Sequence, residues 1–166
     1  MEMVHQRQQR KVGDMIGYSG HKHFKGEKIV AIVDRNVNVI SPYVRASGNQ
    51  NESPLFELAF HSLKKIASAV GLDFTGSVMS LDAAYDSKKN RKLIFNAGMT
   101  PNINENKRNR NKTKRGKKRI FSYAIWKERF QTIERLFAWE DKFKRLLLRF
   151  ERKKSFMINL RNFCCT

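Results

Sequence analysis

Thirteen consecutive residues, 107–119, hold nine lysines and arginines, no acid, one glycine and no large apolar side chain. A stretch like this has no face to bury and no helical or strand periodicity, so it reads as a solvated loop. Any core must be assembled from the chain on either side of it. The like charges repel when free and are stabilised when phosphates approach and counterions are released. Lys107, Arg108, Arg110, Lys112, Lys114, Arg115, Lys117, Lys118 and Arg119 are therefore candidates for contact with a nucleic-acid backbone. Contacts of that kind position a nucleic acid without reading its sequence.

The 166-residue chain has a formal net charge of +19, of which residues 1–106 carry +4, residues 107–119 carry +9 and residues 120–166 carry +6. Its length suits one domain with a real core. A hydrophobic fraction of 40% with twelve Phe is too high for a wholly disordered basic tail. The longest apolar runs, such as residues 28–34 and 145–149, are a fraction of the roughly 20 residues a membrane-spanning helix needs. The first fourteen residues contain no apolar run of the kind a secretory signal requires. Cys164 and Cys165 are adjacent at the end of the chain, where they can neither staple a fold nor complete a metal pair. A reduced, cytoplasmic setting is expected, without membrane or small-molecule partners.

Residues 1–20 are polar, include several glycines and read as loosely structured. Residues 28–34 and 37–46 are β-type runs joined by Asp34-Arg-Asn36, which predicts a hairpin. Ser53 as N-cap, Pro54 in the first helical position and Gly71 as C-cap bracket a helix with Leu55, Ala59, Leu63, Ile66 and Val70 on one face. Residues 77–82 suit a buried strand. A helix capped by Asp86 or Ser87 follows, running to Ala97 with Gly98 as its stop, and residues 99–104 suit a further strand. Beyond the basic loop, residues 122–152 read as a long helix with Trp126, Phe130, Ile133, Phe137, Phe143, Leu147 and Phe150 on a wide apolar stripe. This order of elements predicts an α/β domain with a mixed sheet.

Two acids stand out by position. Asp82 closes a buried-type strand, so its carboxylate emerges at the carboxyl end of the sheet, where open α/β folds place their sites. Glu134 has Phe130, Phe137 and Ala138 as its helical neighbours, which puts it on the apolar side, where an ionised group must be paired or bind a metal. Two hard oxygen ligands on facing elements suit Mg²⁺. Spacing alone leaves another reading open, in which Asp82 caps a turn and Glu134 pairs with Arg129, Arg135 or Arg145.

Three long stretches carry a family resemblance. They are Ser80-Leu-Asp-Ala-Ala-Tyr-Asp-Ser87, Asn90-Arg-Lys-Leu-Ile-Phe-Asn-Ala-Gly-Met-Thr-Pro-Asn-Ile-Asn-Glu-Asn106 and the run from Arg129-Phe-Gln-Thr-Ile-Glu134 to Arg152. With Gly13-Asp-Met-Ile-Gly-Tyr18 upstream, they resemble bacterial insertion-sequence transposases of the DDE class. The resemblance implies a ribonuclease-H-like mixed sheet flanked by helices. It also implies a catalytic Asp, Asp and Glu that hold two divalent ions, Mg²⁺ or Mn²⁺, and DNA partners in the form of element ends and target. By motif Asp82 is the second acid and Glu134 the third, while Arg129, Lys142 and Arg145 are bases near the glutamate that contact DNA. A homodimer and a nucleoid-associated location are further expectations.

The chain departs from the family at its start. The family's first aspartate lies on the opening strand, and residues 1–13 contain no Asp; Glu2 is the nearest acid in register. The opening strand is therefore expected to be missing or degenerate. The expected organisation is a degenerate segment 1–20, a partial catalytic domain 21–152 with its basic loop at 106–119, and a remnant 153–166. Two functions follow from different classes: Mg²⁺-dependent DNA cleavage and strand transfer by a truncated, impaired transposase, or non-catalytic nucleic-acid binding.

Overall fold

A computed structural model of the chain describes residues 2–8, 16–20, 23–106 and 119–143. At its centre is β3 (Phe24–Ile32), which pairs antiparallel with β1 (Glu2–Gln8) from Glu2↔Ile32 to Gln8↔Gly26. The other edge of β3 is shared end to end. β4 (Val44–Ser47) takes Glu27 to Val30, and β2 (Gly17–Ser19) takes Phe24 to Gly26.

Residues 29–33 of this central segment are buried without interruption because each of its faces is covered. Val30 and Ile32 join Ala46 in a core under α1 (Glu52–Val70), together with Phe56, Ala59, Phe60 and Leu63. Ala31 and Val33 point the other way, onto Ile133, Leu136 and Phe137 of α3 (Tyr123–Asp141). β5 (Val78–Leu81) and β6 (Thr100–Ile103) form a separate parallel pair, connected through a 3₁₀ turn (Ala83–Tyr85) and α2 (Lys88–Phe95). β1 lies beside β5, which brings the two sheets edge to edge. The architecture is a mixed α/β arrangement that fits the ribonuclease-H-like expectation. Among the described residues no helix is long and apolar enough to cross a membrane.

Several expectations change. Residues 2–8 and 17–19, expected to be loose, are strands; the first of them opens the fold and holds no Asp, which fits a degenerate opening strand rather than a missing one. Backbone pairing to a buried neighbour supplies what side-chain propensity does not, because β-propensity is strongly dependent on context. The α1 N-cap is Asn51, whose Oδ1 accepts from Ser53 N, and Pro54 sits one residue pair deeper in the first turn, where no helical N–H is required. Ile66 and Val70 are exposed, whereas Phe56, Phe60 and Ala67 are buried, so the apolar face of α1 is rotated from the predicted one.

Of the second hairpin run only Val44–Ser47 is a strand; Val39 makes one bridge to Val33. The Asp34 carboxylate ties down the intervening turn, accepting from Asn36 N, Asn38 N and Asn38 Nδ2 at 2.8 Å each. Ser122, expected as the first residue of the last helix, is the N-cap of α3, and of the two candidates for α2 it is Ser87 that caps. Leu147, Phe150 and the rest of the predicted helix beyond Phe143 lie outside the described residues, as does 153–166.

Candidate functional site

Asp82 follows directly on β5, in extended backbone, and its exposed carboxylate stands at the carboxyl end of the parallel pair. Its Oδ1 accepts from Ala83 N at 2.7 Å, which caps the 3₁₀ turn. The turn-capping reading is therefore realised, on a residue that is itself exposed.

Four residues on, Asp86 is far more enclosed, its side chain only 7% exposed. It accepts from Arg91 Nε at 2.9 Å, Arg119 Nη1 at 2.9 Å and the backbone N–H of Asn106 at 3.0 Å. Arg91 also donates to the Ile103 carbonyl at 2.8 Å, and Arg119 approaches Glu105 at 3.8 Å. Burial on its own would push the Asp86 carboxyl up. The Asn106 N–H, the Arg91 hydrogen bond and the charges of Arg91 and Arg119 outweigh it and hold the carboxyl below its ordinary range.

Asn106 and Arg119 are the two ends of the basic segment, so a single carboxylate ties both of them to the corner that carries Asp82. Asn102 adds a second brace. Its side chain donates to Ser80 Oγ and the Ser122 carbonyl, both at 3.1 Å, and accepts from Ser122 N at 2.7 Å, joining β5, β6 and the start of α3.

α3 is turned differently from the prediction. Its buried stripe is Arg129, Thr132, Ile133, Leu136, Phe137 and Glu140, at the three- and four-residue steps of one helix face. Glu134 falls outside that stripe and is exposed, so it is not a carboxylate facing the core. Phe130, whose bulk suggested otherwise, is itself 43% exposed. The buried acid of α3 is Glu140, which accepts from Tyr43 Oη at 2.7 Å. Sequence reasoning missed it because three polar residues occupy a stripe where apolar ones were sought.

The candidate DNA ligands divide accordingly. Arg129 is only 1% exposed, its guanidinium 5.6 Å from the Trp126 ring centroid, so it is no surface base. Arg119 is committed to Asp86, whereas Lys142 is exposed at the end of α3. Lys107, Arg108, Arg110, Lys112, Lys114, Arg115, Lys117, Lys118 and Arg145 lie outside the described residues.

Among the described residues no three His, Cys, Asp or Glu side chains come together as metal ligands. Asp82 and Glu134 are on separate elements, and the only acid of β1 is Glu2. The donor set of the described residues therefore does not fit a complete two-ion, three-carboxylate site.

A family model described as a transposase DDE domain matches residues 1–165. Searches of curated proteins and of solved structures return no match.

Proposed function

The chain belongs to the transposase DDE-domain family, enzymes of phosphodiester transfer that move insertion sequences, and from that premise we propose that it engages DNA at the carboxyl ends of β5 and β6, with its strand-cleavage step impaired. The observation that carries this reading is the corner where Asp82 is exposed while Asp86 ties down both ends of a segment bearing nine bases. Charge of that density in the sequence suits a phosphodiester backbone. Asp82 and Glu134 are the catalytic and metal-ligating acids in this proposal. Family members generally use divalent metals, and among the described residues no third carboxylate joins these two as a cage for paired ions, which is the support for an impaired cleavage step.

The test combines binding with cleavage. Affinity for duplex DNA should fall steeply with salt, by a log–log slope of about −5 if six phosphates are neutralised. Supercoiled DNA in Mg²⁺ or Mn²⁺ should be nicked slowly or not at all, and any nicking should disappear in Asp82→Ala and Glu134→Ala. Failure to bind duplex at low salt overturns the proposal. Robust nicking that survives both substitutions overturns the assignment of the acids.

A further inference from the structure

α3 carries two overlapping apolar faces and buries only one of them. The aromatic face offered by its spacing, Trp126, Phe130, Ile133 and Phe137, is centred about 60° around the helix from the buried stripe, at about 100° per residue. Phe130 is left 43% exposed, while Arg129, Thr132 and Glu140 are enclosed. Apolar area alone does not select this rotation. Two of the enclosed polar residues make contacts inside the helix: Thr132 Oγ1 donates to the Glu128 carbonyl at 2.9 Å, and the Arg129 cation lies over Trp126. Those contacts travel with the helix however it turns. Glu140 instead reaches the sheet. It is fully enclosed and accepts from Tyr43 Oη at 2.7 Å, across 97 residues of chain. Tyr43 is itself held in place, since it packs against the cluster of Ala31, Val33, Ile133, Leu136 and Phe137, and the next residue, Val44, pairs with Val30. The ion pair between Arg35 and Glu128 also joins α3 to the sheet side, but it is exposed and screened by solvent.

We infer that Tyr43 and Glu140 are positioning residues, whose buried hydrogen bond sets the rotation of α3 on the sheet and so keeps Glu134 facing outward. An enclosed carboxylate that loses a donor is costly, whereas a helix turning over an apolar surface meets no comparable penalty. A buried polar contact can thus specify one arrangement among several that apolar packing tolerates, as a single polar residue fixes register in a coiled coil. Turned about 60° toward its aromatic face, α3 would carry Glu134 to the margin of the buried surface and bring Thr132 out of it. Tyr43 and Glu140 act through Glu134 and not on a reacting atom. Their bearing on strand cleavage rests on the reading of Glu134 as a catalytic acid, and they supply what aims it.

Thiol labelling reads the rotation. In a Cys164→Ser, Cys165→Ser background, the single reporter Thr132→Cys should be protected and Glu134→Cys reactive, because position 132 is buried and position 134 exposed. Adding Tyr43→Phe or Glu140→Leu should speed labelling at position 132 by about tenfold and slow it at position 134. Glu140→Gln, which keeps an acceptor for the Tyr43 hydroxyl, should retain the parental pattern. Opposite changes at the two positions separate a turned helix from a loosened one, since fraying exposes both. An unchanged pattern in both Tyr43→Phe and Glu140→Leu overturns the inference. Faster labelling at both positions also overturns it, by reducing the pair to a contact that merely holds the fold. The same holds if Glu140→Gln behaves as Glu140→Leu does. Labelling needs no DNA, so a chain that neither binds nor nicks DNA overturns the proposed function separately.

Discussion

Replacing Asp86 with alanine removes one carboxylate from three partners at once. The Arg91 side chain is 11% exposed and that of Asp86 7%, so their contact and the bond from Asn106 N–H are poorly screened. Hydrogen bonds to a charged group contribute about 1.5–3 kcal/mol each. Arg119, at 27% exposure, is counted at a fraction of that because solvent screens it. Alanine also relieves the cost of burying the carboxylate, which offsets part of the loss and leaves a destabilisation of about 2–3 kcal/mol at neutral pH.

The effect has a defined pH dependence. The folded-state carboxyl is held below its unfolded value of 3.8, so its contribution is complete above that value and is lost as pH falls through the lower folded one. Urea unfolding followed by circular dichroism should therefore show parent and variant separated at neutral pH and converging in acid. A neutral-pH difference under about 0.5 kcal/mol, or one that persists undiminished in strong acid, would refute the anchoring role of Asp86. Asp86→Asn, which keeps the shape and removes the charge, should fall between the two.

Gly48→Ala should destabilise the sheet by about 1–3 kcal/mol in the same unfolding assay, since its added Cβ would meet the backbone oxygens of Gly17 and Gly26 at 2.6 and 2.7 Å. A neutral result would mean that β2 and β4 do not share the β3 edge as described. Glu27 and Arg45 form a buried ion pair across β3 and β4. Removing the carboxylate in Glu27→Ala should cost about 3–5 kcal/mol, and replacing both residues with apolar ones of similar volume should recover most of it. Equal losses in the single and double variants would refute that coupling.

Elements marked by local chemistry were legible in the sequence. Gly71 terminates α1 at φ +71° and Ser87 caps α2, because capping is decided within a few residues. β1 was not legible: Glu-Met-Val-His-Gln-Arg-Gln has no alternating apolar face, and its strand state comes from seven positions of pairing to a segment more than fifteen residues away. The position of Asp82 followed from strand order, whereas the orientation of Glu134 did not. Phe130, Phe137 and Ala138 define an apolar neighbourhood only if Phe130 is inside, and the packing of Arg129 under Trp126 turns it outward. Asp86 showed only as a possible helix cap, since its decisive partners, Asn106 and Arg119, are 20 and 33 residues away.

The double attachment at Asp86 also bears on how this part of the chain can evolve. Because the two ends of the basic segment are fixed to the same carboxylate, the residues between them can be lengthened or exchanged without disturbing how β6 hands over to α3. Closure entropy between two fixed points of a chain grows only slowly with the number of residues between them, by about 0.6 kcal/mol per doubling. A change in the number of residues between Asn106 and Arg119 is thus expected to leave the two cores on either face of β3 as they are.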